Sequence, residues 1–151
     1  MDFGLTEIQE MIRNSAREFL ADRSESSVVR AVANGDSEAL ASLWKDVVEL
    51  GWPALTISEE YGGSGLSFGD LAVLLEELGA SLAPAPIVES VVTSHILERF
   101  APDALKADQL PQAASGEVLI TPAIVERDAS WDAANMAVAA TRTDAGLGIT
   151  G

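Results

Sequence analysis

The sequence predicts a mainly α-helical protein, a helical bundle followed by the first strands of an incomplete β domain. Three observations carry that expectation. From Thr6 to Leu110, apolar residues recur at three- and four-residue spacing in segments bounded by capping and breaking residues. After Ser115-Gly116 the chain becomes β-branched in "EVLITPAIVE" and partly alternating in "ANMAVAATR". The composition, 48% hydrophobic and 22% charged, is that of a chain that buries a core. The expected division is a helical domain over 1–112 and the start of a β domain, truncated, over 113–151.

Each element has its own signals. Thr6 with Gln9 three residues later is a capping-box pattern, and Ile8, Met11, Ile12, Ala16, Phe19 and Leu20 then follow the helical period as one apolar stripe. Val28, Val29 and Val32 mark a short second helix closed by Asn34-Gly35-Asp36. Leu40, Leu43, Trp44, Val47 and Val48 mark a third, with Gly51 at the left-handed stop position. Ser67 and Asp70 repeat the capping pattern ahead of Leu71, Leu74, Leu75 and Leu78, and Gly79 is the expected end. "LAPAPI" reads as extended, because proline disfavours helix in the residue before it. The helix from about Pro86 to Phe100 is apolar on most sides, which predicts a central position in the bundle. Pro102 ends it, and a short helix from Asp103 to Leu110 precedes Pro111. Strands follow Gly116, with a hairpin at Asp144-Ala145-Gly146. So short a β part leaves edges and an apolar face open, so the expectation is a fragment or a sheet completed by another chain.

Charge narrows the function. Nine Lys and Arg face 24 Asp and Glu, a net charge of −15, so there is no cationic footprint for nucleic acid or an anionic membrane. An anionic ligand remains compatible, since helix N-termini and a few arginines receive phosphate locally. Without cysteine there is no disulfide, thiol nucleophile or thiolate metal site. The N-terminus does not resemble a signal peptide, and no apolar run approaches the roughly 18 residues of a membrane span. A soluble, cytoplasmic protein is expected.

Few residues offer chemistry. His95 is the single histidine, lies on a largely apolar helix, and reads as a core or pocket-lining residue rather than a catalytic one. No metal motif is present. Glu59-Glu60 and Glu76-Glu77 are adjacent in sequence, so their side chains diverge, and both pairs read as solvated helix faces. The stretch "SEEYGGSGLSFGD" poses the sharper question, whether its glycines cradle a phosphate, form a linker or fix a corner. It lacks the Lys-Ser/Thr of a Walker loop and the spacing of a dinucleotide fingerprint. Glycine's positive φ and close backbone approach suit a tight connection between helices.

The surrounding residues give this stretch a context. "LGWPALTISEEYGGSGLSFGDLAVLLEELGASLAPAPIVES" resembles the N-terminal helical domain of the acyl-CoA dehydrogenase family. There a Gly-Trp pair closes a helix, a proline-glutamate-x-Tyr/Phe-Gly-Gly-x-Gly loop follows, and an Asp-led helix ends in Glu-Glu-Leu-Gly. Here these are Gly51-Trp52, Ser58 in place of the proline, Glu59, Tyr61-Gly62-Gly63, Gly65, Asp70 and Glu76-Glu77-Leu78-Gly79. "LTEIQEMIRNSAREFLA" and "LPQAASGE" are similar to the family's first helix and its lead into the middle β domain.

The resemblance implies an FAD enzyme that dehydrogenates the α and β carbons of an acyl-CoA thioester. A glutamate takes the α proton while the β hydride passes to the flavin. It implies that Tyr61, Gly62, Gly63 and Gly65 form a fixed corner shaping the acyl pocket, and that Val88, Val91, Val92 and His95 form part of its wall, with core packing the competing reading for each. Flavin contacts are implied for Ile124, Val125 and Glu126, which match an Ala-Leu-Thr-Glu-Pro segment. Val125 brings no hydroxyl where the family has threonine, and Trp131 stands where it has a small serine. The family's catalytic glutamate belongs to a C-terminal helical domain beyond Gly151, so no residue of this chain is nominated as catalytic and none as a metal ligand. Two readings follow: the N-terminal part of a flavin-dependent acyl-CoA dehydrogenase, homo-oligomeric, or a flavin-poor, non-catalytic subunit completing the site of a heteromeric partner. Under either, the 151-residue chain alone is expected to be inactive.

Overall fold

The structure is a computed structural model that describes residues 4–125, 137–144 and 146–150. It divides into two compact units, Met1–Thr121 and Pro122–Gly151. The first holds six helices: α1 (Glu7–Arg23), α2 (Ser26–Ala33), α3 (Ser37–Glu49), α4 (Phe68–Ala80), α5 (Ile87–Phe100) and α6 (Asp103–Ala114). Short 3₁₀ turns at Trp52–Ala54 and Glu59–Tyr61 lie between α3 and α4.

Helices α1 and α4 pack side by side and run the same way. Both begin in complete capping boxes, Thr6 with Gln9 and Ser67 with Asp70. The two caps are joined. The Gln9 side chain accepts from the Thr6 N–H at 3.1 Å while its amide donates to Asp70 Oδ1 at 3.0 Å. Asp70 also accepts from the Ser67 hydroxyl at 2.7 Å and the Ser67 N–H at 2.9 Å. The Ser67 bonds, then the Gln9 bond, hold the Asp70 carboxyl below the usual carboxylate range. A carboxylate depressed on folding stabilises above its unfolded pKa and loses that effect as pH falls through the folded value. Asp70→Asn should therefore lower the thermal midpoint at pH 6, and the gap to wild type should shrink as pH drops below about 4. Thermal scans of both proteins across that range check it.

The core joins Ala16 and Leu20 of α1, Leu43 and Val47 of α3, Leu71 and Leu74 of α4, and Trp52. A second cluster places Ala54 and Ile57 against Leu110 and Ala113 of α6. Several expectations are corrected here. Ile8 and Met11, assigned to the buried stripe, are exposed, because α1 meets α4 through Ile12, Ala16 and Leu20 instead. Helix α4 passes Gly79 and caps at Ser81, whose hydroxyl donates to the Glu77 and Leu78 carbonyls. The left-handed position falls on Leu82 (φ +53°), with the Ala83 N–H bonded back to Leu78. Helix α6 continues through Pro111 to Ala114. The carbonyl deprived of its partner is that of Ala107, on the exposed side.

Glu77 is a further correction: it is buried rather than solvated. It accepts from Arg17 Nε at 2.8 Å, and Arg13 Nε lies 3.6 Å from its other oxygen. That bond, with the charge of Glu77, raises the Arg17 pKa above its usual value. Glu76 is exposed beside it, 3.6 Å from Arg13, and Glu59 and Glu60 are exposed as expected.

In the second unit, β1 (Ala139–Thr143) pairs antiparallel with β2 (Gly146–Thr150) in the register Ala139↔Thr150 to Thr143↔Gly146. This is the expected hairpin, with Ala145 outside the described residues. Residues 117–125, expected to be strand, lie in no strand. Their β-branched side chains find no pairing partner among the described residues.

Candidate functional site

The glycine stretch folds back on the residues before it. Gly51 (φ +73°) ends α3 and turns the chain into Trp52, which packs edge-on against Phe19. From there the chain doubles over. The Ser64 N–H donates to Ala54 O at 3.0 Å, Gly65 to Ile57 O at 2.9 Å, Leu66 to Leu55 O at 3.0 Å and Gly63 to Ser58 O at 3.1 Å. Gly62 (φ +85°) and Gly65 (φ +61°) take the left-handed conformation this path requires. Gly63 is needed for space, since a Cβ there would lie 2.0 Å from the Ile57 carbonyl oxygen. Tyr61 packs half-buried on the Ile57–Leu110 cluster, and burial, then the neighbouring Glu60, pushes its hydroxyl pKa up. These residues make a fixed corner, not a linker.

The corner reaches both flanking helices. Ser67 caps α4 directly after it, and Phe68 at the head of α4 meets the His95 ring of α5 edge to face at 5.9 Å. On the other side, the Ser58 N–H donates to Glu98 Oε1 of α5 at 3.2 Å, and the Ser58 hydroxyl donates to the same oxygen. Where the family motif has proline, this chain has two donors and an acceptor for them.

Helix α5 is not central to the bundle. It turns Ile87, Ser90, Val91 and Ser94 inward and presents Val88, Val92, His95, Ile96 and Phe100 outward. Val88 is 52% exposed and Val92 37%, whereas Val91 is 1% exposed and packs in the core with Leu71 and Leu74. Of the four wall residues named from the sequence, three therefore share one open face and Val91 lies behind it. Phe68 and Glu98 were not named. Phe68 heads a helix whose apolar stripe starts later. Glu98 had one signal, a serine in the place of a proline, which frees an N–H that needs an acceptor.

Ile124 and Val125 are half-exposed and lie outside any helix or strand. Glu126 and Trp131 lie outside the described residues. Among the described residues, no group of three His, Asp or Glu is placed to hold a metal ion, and no helix is long and apolar enough to cross a membrane.

Among the described residues, the bundle thus combines a rigid glycine corner with an α5 face of valines and a histidine left open. Residues 6–117 match the acyl-CoA dehydrogenase N-terminal domain. The chain belongs to the acyl-CoA dehydrogenase family. It is similar to the acyl-CoA dehydrogenase IpdE2 of Mycobacterium tuberculosis, at 33% identity over 138 residues, covering 89% of this chain and 42% of that protein. Among solved structures, a chain of the ChsE4-ChsE5 complex from Mycobacterium tuberculosis superposes with a TM-score of 0.78 at 27% identity, covering 100% of this chain and 39% of that one. A variant of the Tcur3481-Tcur3483 steroid ACAD superposes with a TM-score of 0.83 at 27% identity, covering 96% of this chain and 40% of that one. The chain thus spans between 39% and 42% of the length of these relatives.

Proposed function

We propose that this chain is the N-terminal part of a flavin-dependent acyl-CoA dehydrogenase, and that it contributes a wall of the acyl pocket to α,β-dehydrogenation of an acyl-CoA thioester. The observation that carries the reading is the outward face of α5. Val88, Val92 and His95 share an open face of α5, a helix tied to the residues flanking the Tyr61–Gly65 corner through His95–Phe68 and Glu98–Ser58, in a domain matched to the family from residue 6 to 117. An apolar wall excludes water from the reacting carbons and reads the shape of the acyl group. Val91 supports that wall from behind. We place the domain boundary near residue 112, the catalytic base outside this chain, and the protein in the cytoplasm.

When bound, FAD supplies the hydride acceptor of this chemistry. In this chain Ile124, Val125 and Glu126 are the residues proposed to approach it. The first two bring aliphatic side chains and no hydroxyl, so their fit to a flavin rests on main-chain groups alone.

The test uses the whole protein that contains this chain. An isolated protein with one FAD per chain, bleached anaerobically by acyl-CoA, supports the enzyme reading, and a protein that cannot be reconstituted with FAD refutes it. The chain alone is expected to give no turnover.

Val125 and Trp131 motivate the second reading, a flavin-poor subunit completing the site of a heteromeric partner. The similarity to a chain of the ChsE4-ChsE5 complex favours it. Co-purification with a flavin-bearing second subunit supports this reading, and a homo-oligomer carrying FAD in every chain excludes it. The similarity to a steroid ACAD favours a bulky polycyclic acyl group among the substrates to be tried.

A further inference from the structure

Helix α5 buries a mixed face, Ile87 and Val91 together with two serines. Ser90 and Ser94 are 0% and 1% exposed, and neither hydroxyl has a hydrogen-bond partner among the described residues. Val88, Val92 and Ile96 meanwhile face out. A buried hydroxyl without a partner is unfavourable, and so is an aliphatic side chain left in water. Rotation about the helix axis by roughly 100°, one residue's share of a turn, would bring Val88 and Val92 inward and carry Ser90 toward solvent, while withdrawing Ile87 and Leu97 from the core and turning Arg99 inward. Apolar side chains are gained and lost in that rotation, so the hydrophobic effect by itself selects the observed one only weakly.

We infer that Glu98 is the positioning residue that fixes the rotation. Among the described residues, the side-chain hydrogen bonds from α5 to another element are both made by the Glu98 carboxylate, to the N–H and hydroxyl of Ser58. Bonds to an ionised acceptor are the stronger kind, and two donors on one oxygen leave little angular freedom. Ser58 is itself immobile, because its carbonyl accepts from Tyr61 and Gly63 at the base of the glycine corner. The corner is thus the anchor and Glu98 the peg. Together they hold α5 with Val88, Val92 and His95 outward and its serines inward. This rests on the reading of that face as the acyl wall and adds the device that aims it.

The absence of cysteine makes the rotation measurable. Val92→Cys and Ser94→Cys, introduced singly into the 151-residue chain, report by their rates of thiol labelling which side of α5 faces water. Position 92 should label quickly and position 94 slowly. Adding Glu98→Ala should lower the ratio of the two rates by about tenfold or more, as expected on losing bonds to a charged group. Glu98→Gln, which keeps an acceptor oxygen, should restore the ratio. Ser58→Pro is an independent variant: Ser58 has φ −60°, proline's own value, and the change removes both donors. It should act like Glu98→Ala. Simple loosening of the helix would speed labelling at both positions together. A ratio within threefold of wild type in both variants, whether the rates stay fixed or rise in parallel, overturns the inference. Labelling needs neither flavin nor acyl-CoA, so a protein that never binds FAD would refute the proposed function and leave this result standing.

Discussion

Gly63→Ala is expected to destabilise the helical unit by about 3 kcal/mol, at the upper end for overpacking, and to lower a urea midpoint by roughly 1.5 M. The added methyl would lie 2.0 Å from the Ile57 carbonyl oxygen and 2.6 Å from its Cβ. That carbonyl has little room to retreat. It already accepts from the Gly65 N–H at 2.9 Å, and the Ile57 side chain is 1% exposed in the second core cluster. Gly62→Ala is the control. A Cβ at Gly62 meets nothing within 4 Å, so only its left-handed conformation opposes the change, at about 1 kcal/mol. Equal losses at the two positions would show that the corner yields, and would remove the argument that it anchors anything.

Trp52→Ala should have the largest effect of a single truncation, about 4 kcal/mol. Trp52 is 5% exposed and meets Phe19 edge to face with ring centroids 5.2 Å apart. It sits where α1 and the turn after α3 converge on the core formed with Leu71 and Leu74. Phe19→Leu should lose about 1 kcal/mol of aromatic contact while keeping most of the buried area. Chemical denaturation of the three proteins checks both values.

What could be read from the sequence was mostly local. A capping box needs only two residues three apart, so the starts of α1 and α4 and the halt at Gly51 were legible without a partner in view. The Asp144 hairpin was legible for the same reason. Burial was not, because it depends on which neighbour arrives. Ile8 and Met11 satisfy the helical period of α1 yet miss α4, and α5, apolar on most sides, left its rotation undetermined. Adjacent glutamates conceal which of the two turns inward, and Arg17, which bonds Glu77, lies 60 residues away in sequence. The candidate site divides in the same way. The corner at Tyr61–Gly65 could be read as fixed because its glycines are crowded into four residues. Its fastening could not, because Ser58 and Glu98 are 40 residues apart.

The bond between Gln9 and Asp70 has a consequence for biosynthesis. Its partners are 61 positions apart, so α1 must wait for α4 to be made before the two helices can dock. At ordinary translation rates that wait lasts roughly 3 to 12 seconds. A lone 17-residue helix is only marginally stable in water over such a time. Until then Ala16 and Leu20 have Leu43, Val47 and Trp52 to pack against, while the side of α1 that meets Leu71 and Leu74 stays uncovered.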